Sequence, residues 1–172
     1  NNYYKKHSKF GFKVDNKSKT IKEFDPVTNI DRGFEKYIRL QIHKSFPNDS
    51  IIGEEFEDKF SSSDYQWCID PIDGTRAFII GAPTWSNLIG LSFQDKSIIG
   101  LANFPELNKH YISDKKKSFL VKDNQKFILK SSKNNNLKTV KIIGNFHGTI
   151  SYEKQKKIIK KFGWSFRLAG FD

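Results

Sequence analysis

The sequence contains no methionine and a single cysteine, Cys68, in 172 residues. One cysteine cannot close an internal disulfide, and its place in the apolar run WCI reads as a buried, inert thiol without a redox role. No apolar run approaches the roughly 20 residues needed to cross a bilayer, and the start, NNYYKKHSKF, lacks the apolar core of a secretory signal. A soluble, cytoplasmic chain with no membrane partner is expected. No Gly-x-Ser-x-Gly elbow surrounds Ser61 to Ser63, which read as linker rather than nucleophile. The four histidines, His7, His43, His110 and His147, show no metal-ligand spacing and are assigned to the surface. Arginine is scarce, with four against 26 lysines. The net charge of +11 therefore comes from scattered lysines, a compositional bias rather than the clustered basic face that nucleic-acid binding needs.

A composition of 37% hydrophobic and 15% aromatic residues is that of a globular chain, long enough for one sizeable core. The missing methionine, and an end, WSFRLAGFD, that stops inside an ordered-looking segment, read as one domain over 1–172 truncated at the C-terminus and also at the N-terminus. Residues 1–13 resemble a basic helix or arm, followed by a polar loop, VDNKSKTIKEFD. In PVTNIDRGFEKYIRLQIHKSFPND, Phe34, Tyr37, Ile38, Ile42 and Phe46 recur at helical spacing, with Thr28 or Asn29 as cap and Pro47 as stop. SIIGEE and YQWCID read as buried strands, FEDKFSSSD as a flexible loop and GTRAFI as a helix start. From Ser86 onward, SNLIGLSF, SIIGLANF, KHYIS, SFLVKD, KFILKS and VKIIGNF follow at short intervals as an antiparallel meander. SYEKQKKIIKKFG reads as a further helix and WSFRL as a strand. The residues alone indicate an α+β domain.

Acidic residues recur at the ends of these elements: Asp31 at a helix start, Glu54 and Glu55 after one strand, Asp70 and Asp73 after another. Convergent carboxylates repel unless protons or a cation compensate, and an oxygen-only set favours Mg²⁺. In DPIDGT, Pro71 stiffens the chain so that Asp70 and Asp73 face one point and the Ile72 carbonyl becomes a further ligand. Gly74 permits close approach, and Thr75 opens a helix whose N–H groups suit a phosphate. A dication beside a phosphate site describes a phosphomonoesterase that uses metal-activated water.

DPVTNID (25–31), IIGEE (51–55) and WCIDPIDGTRAF (67–78) resemble, in order and separation, the N-terminal motifs of the inositol monophosphatase superfamily of Mg²⁺-dependent phosphatases. The resemblance implies a layered α/β sandwich of the sugar-phosphatase type. This chain would supply two N-terminal helices and the large antiparallel sheet, while most of a C-terminal α/β layer is missing. It implies Glu54, Asp70, Ile72 and Asp73 as metal ligands, with Asp31 and Thr75 orienting the attacking water and Glu55 in support. Glu54, Ile72, Asp73, Gly74 and Thr75 would hold the substrate phosphate. Gly170, Phe171 and Asp172, in RLAGFD, would meet its organic part. The family draws another metal aspartate from a later motif, so these 172 residues alone are expected to be inactive or nearly so.

RAFIIGAPTWSNLIGL (76–91) is most similar to the histidinol-phosphatase branch, and Asp172 suits the amine of histidinol. L-histidinol phosphate, an intermediate of histidine biosynthesis, is therefore the expected substrate, with inositol 1-phosphate or a related sugar phosphate as the alternative. Arg76 reads as a structural ion-pair residue and Trp85 as core. A catalytically dead fragment and a basic nucleic-acid-binding module are the non-enzymatic alternatives. A homodimer is compatible with the resemblance.

Overall fold

The computed structural model describes residues 11–18 and 25–133, together with 136, 151, 153, 154, 156, 157 and 160. The expected helix or arm over 1–13 lies largely outside these residues, as do the strands at VKIIGNF and WSFRL. The chain divides into two compact units, Asn1–Leu129 and Lys130–Asp172. In the second unit, Glu153, Lys154, Lys156, Lys157 and Lys160 are helical, inside the segment expected to form a helix.

The first unit begins with β1 (Val14–Asn16) and β2 (Pro26–Thr28), paired antiparallel. The long helix α1 (Asn29–Ser45) follows directly, and Thr28 is its N-cap. The Thr28 side chain accepts from the N–H groups of Ile30 and Asp31, and Asp31 accepts in return from the Thr28 N–H, completing a capping box. Phe46 closes the helix just before Pro47 and lays its ring on Trp67, 5.5 Å between centroids.

Seven strands then form one sheet in sequential order: β3 (Ser50–Gly53), β4 (Tyr65–Asp73), β5 (Ser86–Phe93), β6 (Lys96–Phe104), β7 (Lys109–Asp114), β8 (Ser118–Lys122) and β9 (Gln125–Leu129). The pairs from β4 to β9 are antiparallel, as the meander pattern predicts. The large sheet is mixed rather than antiparallel throughout, because at its first edge β3 runs parallel to β4. The connecting segment leaves the end of β3 and returns to the start of β4, so both strands point the same way. That segment is not a free loop: Ile51 and Lys59 form a bridge, and Asp49 accepts from Ser63 Oγ and Trp67 Nε1, each at 2.9 Å.

One face of the sheet is covered. Ile38 and Ile42 of α1 bury themselves against Ile51 and Ile69, with Phe34, Trp67 and Ile89 packed around them. Beside α2 (Thr75–Ile79), a second cluster joins Ile30, Ile72, Ala77, Phe78 and Trp85. Each fully buried side chain of this size contributes roughly 1.5–3 kcal/mol. Cys68 is exposed rather than buried. Strand alternation turns it away from Trp67 and Ile69, onto the face that α1 does not cover.

Candidate active site

The site begins with a register problem. In a regular strand, residues three apart point to opposite faces, so Asp70 and Asp73 would diverge. Asp70 pairs with Leu88 and Asp73 with Ser86, which leaves Pro71 and Ile72 opposite Asn87 alone. This one-residue bulge restores the two aspartates to one side. A proline cannot donate to the ladder, and Pro71 sits at the bulge where no donor is required. Its carbonyl accepts from Asn87 Nδ2 at 2.6 Å. Asn87 Oδ1 accepts from Asn103 Nδ2 at 2.7 Å, and Asn103 Oδ1 lies 3.3 Å from His110 Nδ1, so the bulge in β4 is tied to β5, β6 and β7. His110 is half-buried, not a plain surface histidine. β4 therefore continues through the DPID segment to Asp73 instead of ending at Asp70.

Gly74 then adopts φ +84°, a left-handed conformation that glycine reaches without strain, and starts α2 with no side-chain cap. Thr75 Oγ1 lies 3.3 Å from Asp31 Oδ1 and 3.1 Å from the Ile72 carbonyl. Its single hydrogen serves one of these acceptors at a time. Asp31 is buried, and its Oδ2 accepts from the Thr28 N–H at 2.9 Å and from the Thr28 hydroxyl. Burial pushes Asp31 above the usual carboxylate range, while the hydrogen bonds from Thr28 and Thr75 pull it partly back.

Asp70 carries the strongest signal. Its Oδ1 is buried without a hydrogen-bond partner. Burial first, then the Glu54 and Asp73 carboxylates, push its pKa up to about 8. Asp73 is steadied by Ser86 Oγ, which donates to its Oδ2 at 3.0 Å. Glu54 reaches into solvent, whereas the Glu55 side chain is only 2% exposed. Lys17 Nζ lies 2.7 Å from Glu54 Oε1 and 3.1 Å from Glu55 Oε1. Burial opposes the Lys17 ammonium, but the hydrogen bonds to Glu54 and Glu55, together with the charges of both carboxylates, outweigh it and raise its pKa. Glu55 is pushed up by burial and held down by Lys17, with the charges of Glu54 and Asp31 adding to the rise.

Asp31, Glu54, Asp70, Ile72, Asp73, Gly74 and Thr75 thus fall at adjoining ends of α1, β3, β4 and α2. Among the described residues, no three acidic, histidine or cysteine side chains are drawn together tightly enough to hold an ion as they stand. The Glu54 carboxylate is engaged by Lys17, and rotation away from it is the movement a shared ion would require. A partnerless, buried carboxylate oxygen beside two further carboxylates is what a cation would relieve, so the donor set fits a hard divalent ion. Gly170, Phe171 and Asp172 lie outside the described residues.

Sequence reasoning missed Lys17, Glu35, Arg39 and Asn87. Glu35 had a visible signal: a carboxylate within the apolar stripe of Phe34, Ile38 and Ile42, one helical turn after Asp31. Lys17 had none, because its partners are 37 and 38 residues away.

The sequence matches the Inositol monophosphatase family over residues 4–165. A histidinol-phosphatase of Chlorobaculum parvum is 42% identical over 90 residues, covering 52% of this chain and 35% of that protein. A fructose-1,6-bisphosphatase/inositol-1-monophosphatase of Aquifex aeolicus is 37% identical over 89 residues, covering 52% of this chain and 34% of its own. The matched stretch is thus about a third of the length of either relative. The crystal structure of extragenic suppressor protein suhB from Bartonella henselae superimposes with a TM-score of 0.76 at 22% identity, covering 99% of this chain and 64% of that one. At that identity the likeness establishes the fold. Among the described residues, no helix is long and apolar enough to cross a membrane.

Proposed function

The chain belongs to the inositol monophosphatase family, and from that premise we propose that the protein carrying it is a Mg²⁺-dependent phosphomonoesterase acting on L-histidinol phosphate. The observation that carries the metal-dependent reading is the buried Asp70 Oδ1 without a partner, flanked by Glu54 and Asp73. Glu54, Asp70, the Ile72 carbonyl and Asp73 are the residues that would hold the metal. When bound, Mg²⁺ lowers the pKa of a water and neutralises charge on the phosphate and the leaving oxygen.

The chain's own residues supply the orientation. With its hydrogen directed to Asp31 Oδ1, the Thr75 hydroxyl presents lone pairs that accept a hydrogen bond from the attacking water. The water's own lone pair is then directed toward phosphorus. Asp31, raised above the usual carboxylate range by burial, is a better proton acceptor than an exposed aspartate, and its Oδ1 takes the proton through Thr75 Oγ1. Gly74 and the uncapped start of α2 leave backbone N–H groups for the phosphate oxygens.

Histidinol phosphate is favoured by the RAFIIGAPTWSNLIGL segment, by the identity to the Chlorobaculum parvum protein, and by Asp172 as a partner for the substrate's amine. Inositol 1-phosphate or a related sugar phosphate is the second reading, supported by the Aquifex aeolicus relative at similar identity. Phosphate release by the protein expressed from the complete open reading frame decides between them. The proposal expects kcat/KM for L-histidinol phosphate to exceed that for inositol 1-phosphate by at least about tenfold, a difference of roughly 1.4 kcal/mol. An inverted ratio assigns the protein to the second reading. No release with either substrate and excess Mg²⁺ overturns both.

A further inference from the structure

Asp31, Glu35 and Arg39 stand four residues apart on α1 and so form one row along the helix. Asp31 meets Thr75. Glu35, one turn on, is completely buried. Its two oxygens are divided: Oε1 accepts from Arg39 Nε at 2.8 Å, and Oε2 accepts from the backbone N–H of Glu55, also at 2.8 Å. Arg39 in turn donates from Nη2 to the Phe56 carbonyl at 3.3 Å. Helix and strand approach so closely here that a Cβ on Gly53 would overlap the Glu35 carboxylate and lie 2.6 Å from Arg39 Nη2.

A buried ion pair is weak evidence for stability, because apolar groups of the same size often replace one without loss. Two directional hydrogen bonds to this backbone, from the Glu55 N–H to Glu35 and from Arg39 to the Phe56 carbonyl, do something apolar packing cannot: they fix where the segment after β3 sits relative to α1. That segment carries Glu54 and Glu55, and α1 carries Asp31. We propose that Glu35, held by Arg39, is a positioning residue that sets the Glu54 carboxylate against Asp70 and thereby the affinity for Mg²⁺. The inference rests on the metal-dependent phosphatase reading and adds to it a residue that touches neither metal nor substrate.

The test uses the complete protein, with Mg²⁺ binding read by titration calorimetry and turnover read as phosphate release from L-histidinol phosphate. Glu35→Gln keeps the size of the side chain but replaces one acceptor oxygen with a donor. The expected result is a Mg²⁺ dissociation constant and a half-saturating Mg²⁺ concentration each raised by about 10- to 100-fold, with kcat at saturating Mg²⁺ within about twofold of wild type. Should that variant fold poorly, Glu35→Met combined with Arg39→Leu fills the space with apolar groups. It is expected to melt as cooperatively as wild type and to show the same loss of Mg²⁺ affinity. Unchanged Mg²⁺ affinity in a folded variant, or a fall in kcat without a change in affinity, overturns the positioning role and leaves the phosphatase reading standing. A wild-type protein that binds no Mg²⁺ overturns both.

Discussion

The two halves of the seven-stranded sheet are held together differently. Around β3, β4 and α1 the chain buries Ile51, Ile69 and Ile72 beside polar side chains that are just as inaccessible: Thr28, Asp31 and Glu35. From β6 to β9 no residue is fully buried, and every residue of β9 is exposed. The second half is built by neighbours in sequence, each strand pairing with the next through a short turn. Gln94 and Asp95, and again Asp123 and Asn124, take the positive φ values that tight hairpins require. The first half is built by residues far apart, such as Asp31 with Thr75 and Glu35 with Glu55. Titration follows the same division. Asp31, Glu55 and Asp70 are shifted up, with burial the first cause in each case. Asp114, the last residue of β7, is shifted down by the Lys116 and Lys117 backbone N–H groups of the turn that follows. The site half holds carboxylates whose charge burial opposes, whereas Asp114 in the meander half is satisfied by its own turn.

The change that should break this contrast most sharply is Asp70→Asn. In the complete protein it is expected to lower Mg²⁺-dependent phosphate release by more than about 100-fold, beyond the usual cost of losing a supporting residue. A steady-state assay over a range of Mg²⁺ concentrations measures it. Next in size is Ile72→Ala, which empties a site 2% exposed between α2 and the sheet and should cost about 2–5 kcal/mol by urea denaturation. Asn87→Ala cuts the hydrogen-bond chain from the meander to the Pro71 carbonyl and is expected to cost about 1–3 kcal/mol. Ile128→Ala, on β9 and 58% exposed, should fall within about 0.5 kcal/mol of wild type. Equal costs at Ile72 and Ile128 would dissolve the distinction between the halves.

The pH dependence has a definite sign. An aspartate raised from 3.8 to about 8 in the folded state favours folding while protonated, and that contribution is lost as pH rises through about 8. Asp31 and Glu55 shift in the same direction. Metal-free protein is therefore expected to melt at progressively lower temperature from about pH 4 to about pH 8, and excess Mg²⁺ should flatten the trend. Asp70→Asn should remove most of the slope.

The same division explains what could be read in advance. The meander, α1 and a cap at Thr28 or Asn29 were legible because each depends on neighbours in sequence: hairpin turns, an apolar period, a capping residue. The parallel pairing of β3 with β4 was not, since it depends on how the Phe56 to Asp64 segment folds back. Cys68 was misplaced because an apolar run looks the same whether one or both faces of the strand are covered. At the site, DPIDGT pointed to carboxylates that the fold does bring to one side, but the means was hidden. Asp70 and Asp73 share a side through a bulge opposite Asn87, a feature of β4 and β5 together. Lys17 escaped because its partners become neighbours only once β1 and β3 are in place, and the link from Glu35 to the Glu55 backbone waits on β3 in the same way.

The most direct test of the central claim is calorimetric titration of Mg²⁺ into the complete protein and its Asp70→Asn variant at neutral pH. The account predicts saturable binding in the wild type that is lost in the variant. Identical binding in the two, or none in the wild type, would contradict it.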